Sequence, residues 1–398
     1  MNDARPTIRL KPKTDPRRIR RGFPWVYDNE LVTDRRTKAL LPGTIATLED
    51  GDRQPLATVT INPNSKIIGR ILSRNPAEAI NTEWIKRKLQ SALILRQSLY
   101  DTPFYRLVHA EADGLPGVII DRFGEAVVIQ PNAAWAENMF EQFAEAIGNI
   151  TGATTIIKNA GGRARSLEGL EEDSQIVTGA LSGPVEVPMN GATYLADLVG
   201  GQKTGLFYDQ RPNHAFVSRL AKDTDVMDVF SHVGGFGLAA LAAGAKSAIC
   251  VDGSKAALEL AEQGAKATGV AERFEARQGD AFDMLAEFDA NGQMFGTVVC
   301  DPPAFAPSKS ALSAGLRAYE KVAKLSAPLV ETGGTLTLCS CSHAADLSQF
   351  RKACLSGIGR AGRQAQILRT GFAGPDHPQH SALSESGYLK AITFRMIE

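Results

Sequence analysis

Val226-Met227-Asp228-Val229-Phe230-Ser231-His232-Val233-Gly234-Gly235-Phe236-Gly237 is an apolar run with one acid that breaks into glycines and then into a helix-forming stretch, 238–243. A buried parallel strand hands over to a helix in this way, through a turn where backbone approaches a ligand closely. The dinucleotide fingerprint G-x-G-x-x-G is not met, which weighs against a nicotinamide cofactor. Three more strand ends come after it in order. The run 247–251 ends in Asp252, placed to accept from ribose hydroxyls; another segment ends at Gly279-Asp280-Ala281; 295–300 ends in Asp301-Pro302-Pro303-Ala304-Phe305. Each acid alone reads equally well as a turn former or helix cap. Four in succession along one sheet edge predict a doubly wound α/β domain with its ligand at that edge.

This series resembles the S-adenosylmethionine-dependent methyltransferases with a Rossmann-like, mostly parallel twisted sheet. The resemblance implies S-adenosyl-L-methionine as cofactor.

With 398 residues the chain has room for two or three domains. Hydrophobic content of 43% and charged content of 22% are ordinary for a soluble globular protein. No apolar run approaches the ~18–20 residues of a membrane span, and the polar start is not a signal peptide. The cysteines (Cys250, Cys300, Cys339, Cys341, Cys354) sit in or near apolar runs rather than in a disulfide framework, so a reducing cytoplasm is expected. No metal site is expected. Net charge is zero, yet residues 1–38 hold 11 Lys and Arg against 5 Asp and Glu. Phosphate attraction is local, so a neutral protein with a basic end can still bind a polyanion.

That basic end reads Arg17-Arg18-Ile19-Arg20-Arg21-Gly22-Phe23-Pro24-Trp25-Val26-Tyr27. Arginines supply phosphate contacts and aromatics supply stacking faces, so Arg20, Arg21 and Trp25 are candidate RNA-binding residues. The plain alternative is a small β core of alternating aromatics under a solvated basic face. Turn residues at 42–43, 49–52 and 62–64 punctuate β-prone runs, predicting a small β domain over 1–75. Residues 82–100 repeat apolar positions at helical spacing, and 134–150 reads as a second helix. With two strands flanking a glycine- and proline-bearing turn within 105–124 and further strands at 126–130 and 154–158, they predict an α+β domain over 76–190. The Rossmann-like domain takes 191–398. Just before its first strand, Gly200-Gly201-Gln202-Lys203-Thr204-Gly205 and Asp209-Gln210-Arg211 suggest a loop closing over a polar ligand. Gln202, Lys203 and Arg211 are candidates for the methionine carboxylate of a cofactor or for substrate phosphates, with Gln202 grouped with the cofactor contacts and Lys203 and Arg211 with RNA; an ordinary linker would look similar.

The chemistry is expected at Cys339-Ser340-Cys341-Ser342-His343, which ends a strand 335–338 on the same sheet edge as the acids. A helix over 316–330 precedes it. C5 of a pyrimidine is a poor nucleophile. A thiolate adding to C6 makes C5 enamine-like, able to take a methyl group from a sulfonium, and a carboxyl beside N3, Asp301, favours the addition. The base case for a cysteine in an apolar strand is an inert core residue. The terminal position and polar setting of Cys341 argue against it there. Cys339 stays ambiguous, and a Cys-x-Cys metal pair is a remote alternative.

The basic aromatic opening resembles that of the RNA-binding PUA domain preceding certain bacterial RNA methyltransferases, with Phe23 where His is expected. Together with Glu111-Ala112-Asp113-Gly114-Leu115-Pro116-Gly117, Gly201–Gly205, Asp301–Phe305, Cys339–Ser342, Asp376-His377-Pro378 and Ser386-Gly387-Tyr388-Leu389-Lys390, the chain resembles the large-subunit ribosomal RNA cytosine-C5 methyltransferase I family over nearly its whole length. The resemblance implies 5-methylcytosine formation in 23S ribosomal RNA. It puts the nucleophile at Cys341 and cofactor contacts at Asp228, Ser231, His232, Gly234, Gly235, Gly237, Asp252, Asp280 and Asp301. Ala304 departs from the second cysteine that many RNA cytosine-C5 methyltransferases carry after Pro-Pro, so another group or water takes the C5 proton. Methylation of another base atom or RNA species, and a non-catalytic RNA-binding assembly factor, stay open, as does a homodimer.

Overall fold

The computed structural model describes residues 5–201 and 205–397. Chain contacts divide it into two compact units, one holding the chain to Gly183 together with the described residues from Leu198 to Gly201 and Pro375–Ser386, the other holding Pro184–Asp197, Gly205–Gly374 and the chain from Gly387 on. The C-terminal segment thus crosses from one unit to the other and back.

The first unit carries two sheets. One has five short strands in the order Thr7–Arg9, Thr44–Glu49, Pro55–Ile61, Gly69–Ser73, Trp25–Val26. Its core is Ile8, Leu10, Val26, Leu48, Val59 and Ile61, supplied by the inward positions of alternating strands. The second sheet runs Gln175–Thr178, Thr155–Lys158, Ala126–Pro131, Val118–Phe123, Phe104–His109. The helix Thr82–Leu99 contributes Trp84, Ile85, Leu89 and Leu93 to the core of this second layer. Asn81 caps its first turn by accepting from Trp84 N.

The single helix expected over 134–150 is two, Ala134–Asn138 and Phe140–Thr151. At ~100° per residue an unbroken helix would point positions 135 and 140 about 140° apart. The break at Met139 lets both Trp135 and Phe140 be buried.

The acids of the Glu111–Gly117 stretch are absorbed by structure. Glu111 Oε1 accepts from Trp25 Nε1 (2.8 Å) and Arg70 (3.0 Å), tying the first sheet to the turn after the strand Phe104–His109. Asp113 takes a bidentate pair from Arg96 at 2.7 and 2.8 Å, and Arg96 also donates to the carbonyls of Arg106 and Asp376. Arg96 is fully buried.

The second unit is organised by a seven-stranded sheet. Its strands are β1 (Asp225–Val229), β2 (Ser247–Asp252), β3 (Phe274–Gln278), β4 (Phe295–Cys300), β5 (Val330–Ser340), β6 (Ala365–Gly371) and β7 (Lys390–Met396). Their order is β3-β2-β1-β4-β5-β7-β6, with β7 antiparallel to both neighbours and β1–β5 joined by parallel pairings. The order reverses at β1, so the gap between the ends of β1 and β4 is the topological switch point where such sheets bind ligands.

The helices are α1 (Arg211–Leu220), α2 (Gly235–Ala242), α3 (Lys255–Thr268), α4 (Ala281–Ala290), α5 (Leu312–Ser326) and α6 (Leu347–Arg360). The main core joins Met227, Val229, Val298, Cys300, Leu336 and Leu338 to residues of α4, α5 and α6. The intervening strand positions Val299 and Cys339 pack with Val217 of α1 and Phe236 of α2. This is the period-two alternation of a sheet covered on both faces. α5 starts at Leu312, four residues before the expected 316, and gives way at Ala327 to a 3₁₀ turn. β5 begins at Val330 rather than 335.

Arg96→Met is expected to destabilise the first unit by about 3–5 kcal/mol, because it leaves Asp113 buried without its partner. Chemical denaturation followed by the fluorescence of Trp84 and Trp135 measures this; a loss under ~1 kcal/mol would contradict it.

Candidate active site

The acids expected to share a sheet edge do so, each by a different local device. Asp228, in β1, is buried, and its Oδ2 accepts from the backbone N–H groups of Phe236 (3.1 Å) and Gly237 (2.9 Å). It therefore anchors the N-terminus of α2, where orphan donors and the helix dipole favour negative charge. Burial outweighs those two bonds and raises its pKa to about 7.

The turn between β1 and α2 is held in an uncommon conformation. Phe230 and His232 have φ of 62° and 50°, and Gly234 comes next at 81°. Left-handed backbone at a bulky non-glycine residue costs of order 1–3 kcal/mol and clusters at functional sites. Gly237 is required for another reason: a Cβ there would lie 2.5 Å from Cys250 Sγ on β2. Gly235 is held on both sides, its carbonyl accepting from Tyr194 Oη (2.9 Å) and its Cα facing the His214 ring. Ser231 is buried, and its N–H donates to Val251 O at 3.0 Å.

Asp252, after β2, accepts from His232 N and Ser254 N, both at 2.8 Å, one on each oxygen. A carboxylate oxygen accepts more than one bond, so ribose hydroxyls remain within its capacity. Asp280 is the N-cap of α4, accepting from Phe282 N and Asp283 N. Asp301, after β4, accepts from Gln210 Nε2 at 2.9 Å, and Gln210 Oε1 in turn accepts from Asn213 Nδ2 at 2.7 Å.

Asp228, Asp301, Gln210, His214, Phe230 and His232 line one cavity of the second unit. Three buried polar atoms of its lining, Asp228 Oδ1, His214 Nδ1 and Ser231 Oγ, have no hydrogen-bond partner among the described residues. A polar ligand satisfies such atoms, and the glycine turn leaves room for it. Burial depresses the His214 pKa to about 3, so the ring stays neutral. Its ring sits edge-on to Phe236 at 4.4 Å. Neither Gln210 nor His214 stands out in the sequence as a cofactor contact; both lie on or beside α1, and only folding brings them to the strand ends.

β5 delivers the cysteines to the same edge. Of the five, only Cys341 is not buried. Cys339 is held against Gln210 inside the sheet face, and burial drives its thiol well above the ordinary value. Ser340 and Ser342 point the other way and are fully buried. Ser340 Oγ donates to Tyr319 Oη (2.9 Å), the Tyr319 and Ser342 hydroxyls bond at 2.7 Å, and Ser342 Oγ accepts from Ala306 N (2.9 Å). One buried tyrosine of α5 thereby ties the end of β5 to the loop after Asp301. Lys390, opposite Ser340 across the β5–β7 ladder, donates to the carbonyls of Ser342 and Ala345, both at 2.7 Å. Tyr319 carries no sequence signal of a site residue, and Lys390 enters the sequence reading only as the end of the Ser386–Lys390 stretch, with no role attached.

Arg211 opens α1, its guanidinium 5.2 Å from the Tyr208 ring centroid. Gln202 and Lys203 lie outside the described residues. In the first unit, Arg20 pairs with Asp50 at 3.0 Å while half its side chain stays exposed, and Arg21 is exposed. Phe23, Trp25 and Tyr27 form a half-buried cluster with ring centroids 6.3–6.4 Å apart, and the Arg18 guanidinium covers Phe23 at 4.0 Å. The aromatics are thus neither a sealed core nor a free stacking platform. A cleft of about 910 Å³ in this unit is lined by Arg21, Phe23, Arg74, Lys88 and His380, among others.

The raised pKa of Asp228 carries a sign. The native state holds a proton that the unfolded chain releases above about pH 4, so this group costs stability progressively as pH rises from about 4 to about 7. Asp228→Asn removes that cost. Its stability relative to the parent is expected to rise across this window by on the order of 1 kcal/mol or more, read by denaturation at pH 4.5 and 7.5. A difference independent of pH would contradict the assignment.

Comparison with known proteins agrees with this geometry. Residues 8–74 match the PUA-like domain and residues 170–354 the S-adenosylmethionine-dependent methyltransferase family. A solved structure from Streptococcus mutans described as a SAM-dependent methyltransferase superimposes with a TM-score of 0.82 over 98% of this chain and 100% of that one, at 19% identity, which shows a shared fold. A second, described as complexed with SAH, aligns with the same TM-score and identity. The cofactor of the second unit is S-adenosylmethionine. The "Ribosomal RNA large subunit methyltransferase I" of Tolumonas auensis is 34% identical over 98% of this chain and 99% of its own length. That of Aeromonas salmonicida is 33% identical over 94% and 96%. The chain belongs to the ribosomal RNA large subunit methyltransferase I family.

Proposed function

We propose that this protein makes 5-methylcytosine in the 23S ribosomal RNA of the large subunit, with Cys341 as the nucleophile. The observation that carries the reading is the pinned turn at the end of β5, which presents the one non-buried thiol beside the loop of Asp301.

Asp228 and the Ser231–Gly237 turn, Asp252, Gln210 and His214 would hold the cofactor, with Asp280 at the next strand end. Bound there, S-adenosylmethionine supplies an electrophilic methyl group on a sulfonium. The Cys341 thiolate forms a bond to C6 of cytosine while Asp301 donates a proton to N3, and the pair of electrons freed at C5 takes the methyl group. A base, with Ala304 offering none, then removes the C5 proton. The C6–S bond breaks as N3 returns its proton to Asp301, restoring the aromatic ring and releasing the thiolate. Cys339 takes no part, since a sealed, neutral thiol is not a nucleophile.

Arg20, Arg21 and Trp25, with the cleft beside Phe23, are proposed to engage RNA in the first unit and Arg211 in the second, with Lys203 a further candidate. The target base must leave its stack for C6 to reach sulfur. Protein-free or partly assembled RNA is therefore expected to be a better substrate than the finished subunit, and equal rates on both would contradict this.

Methyl transfer from labelled cofactor to ribosomal RNA of cells lacking the protein tests the reading. The label is expected in 5-methylcytosine. Cys341→Ala is expected to lower the rate by at least about a thousandfold, and Cys339→Ala by less than about tenfold. Label in another nucleoside, or full activity of Cys341→Ala, would overturn it.

A further inference from the structure

Lys390 is a lysine in an unusual position. Its side chain is buried within the sheet edge, its residue only 4% exposed. Its ammonium donates to the carbonyls of Ser342 and Ala345 at 2.7 Å each. Among the described residues no carboxylate lies within ion-pair distance of it. A buried cation bonded only to neutral carbonyls is costly, and such a group normally either gives up its proton or has an anion close by. Burial does pull the Lys390 pKa below the ordinary lysine value. The opposing influences are Cys341 first and then Asp346 at the start of α6. The thiol is thus the foremost group that, once ionised, would hold this lysine charged.

We propose that Lys390 is the positioning residue of the Cys341 thiolate, serving as its buried counter-ion and as the clamp of its turn. The inference rests on Cys341 being the nucleophile. Two of the three ammonium N–H groups fix the backbone on the C-terminal side of Cys341, at Ser342 and Ala345, while Tyr319 fixes Ser340 and Ser342 from the opposite face. Among the groups facing this turn are Lys390 on β7 and Tyr319 on α5, with His343 within the turn, Asp346 at the cap of α6, and the Asp301 loop tied to Ser342 through Ala306. Burial raises the Tyr319 pKa, so its hydroxyl stays neutral near pH 7. The Asp346 Oδ1 is committed to Gln349 N of its own helix. Lys390 is therefore the fixed cation of the set. A cation beside a thiol favours the thiolate, which is both the nucleophile that must add to C6 and the leaving group that must depart. Elimination regenerates the same ion pair, so the device is reset at the end of each cycle.

The test is the pH dependence of Cys341 alkylation by iodoacetamide in the full-length protein, followed on the Cys341 peptide by mass spectrometry. Alkylation reads the thiolate directly and does not depend on methyl transfer. Lys390→Met, which keeps the length of the apolar stem, is expected to raise the midpoint by about one pH unit or more and to slow alkylation near pH 7 about tenfold. Lys390→Arg is expected to keep the parent's midpoint while lowering kcat, because the guanidinium carries the charge but not the clamp geometry. An unchanged midpoint in folded Lys390→Met protein would overturn the proposal.

A second measurement leaves Lys390 in place, covering the case in which its variants do not fold. The Lys390 ammonium is titrated by NMR in parent and Cys341→Ser protein. Loss of the thiolate is expected to lower the Lys390 midpoint, and identical curves would overturn the proposal. A Lys390-dependent midpoint combined with full activity of Cys341→Ala would instead leave the ion pair standing and remove the nucleophile assignment.

Discussion

The parallel register of β1, β4 and β5 is the constraint on which the site depends. Val229 lies opposite Cys300, and Cys300 opposite Leu338, so the three strands run out within about two residues of one another. The segments leaving the strands must then share one edge: the strained turn after Val229, Asp301 after Cys300, and Cys341 after Ser340. Apolar side chains on both faces fix that register, because a slip by one residue would turn Val298 and Cys300 from one core to the other. Hydrophobic packing thereby determines the placement of a thiol and a carboxyl, neither of which contributes to it.

Much of this is legible in the sequence because it is local. Strand ends marked by acids, the glycine turn, and the Ser-Cys-Ser end of β5 all reveal themselves within a dozen residues. Alternation along the strand also puts Cys339 and Cys341 on one face, but spacing offers no way to choose between them. Terminal position and polar setting favour Cys341 in the sequence, and burial separates the two thiols in the same sense, since Cys339 lies within the ladder opposite Ala391 while Cys341 has passed its end.

The parts that stay hidden are those the topology imports. Lys390 reaches the Cys341 turn because β7 inserts antiparallel between β5 and β6, a pairing across about fifty residues that no periodicity announces. Tyr319 looks like any apolar-face residue of an amphipathic helix until its hydroxyl is seen between two serines. In the first unit, Trp25 reads as a stacking face, yet its indole N–H is spent on Glu111. The break at Met139 escapes sequence reasoning because both flanking turns are good helix sequence, and only the need to bury Trp135 and Phe140 together separates them.

The central claim is a covalent bond between Cys341 and C6 of a cytosine during methyl transfer. The most direct measurement incubates the parent protein, Cys341→Ala and Cys339→Ala with cofactor and a ribosomal RNA carrying 5-fluorocytosine. Fluorine at C5 does not leave as a proton does, so the adduct is trapped once the methyl group has been added. A denaturation-stable protein–RNA complex is expected with the parent and with Cys339→Ala, and none with Cys341→Ala. A complex that survives Cys341→Ala and vanishes with Cys339→Ala would contradict the claim, as would the absence of any complex from protein that methylates ordinary RNA.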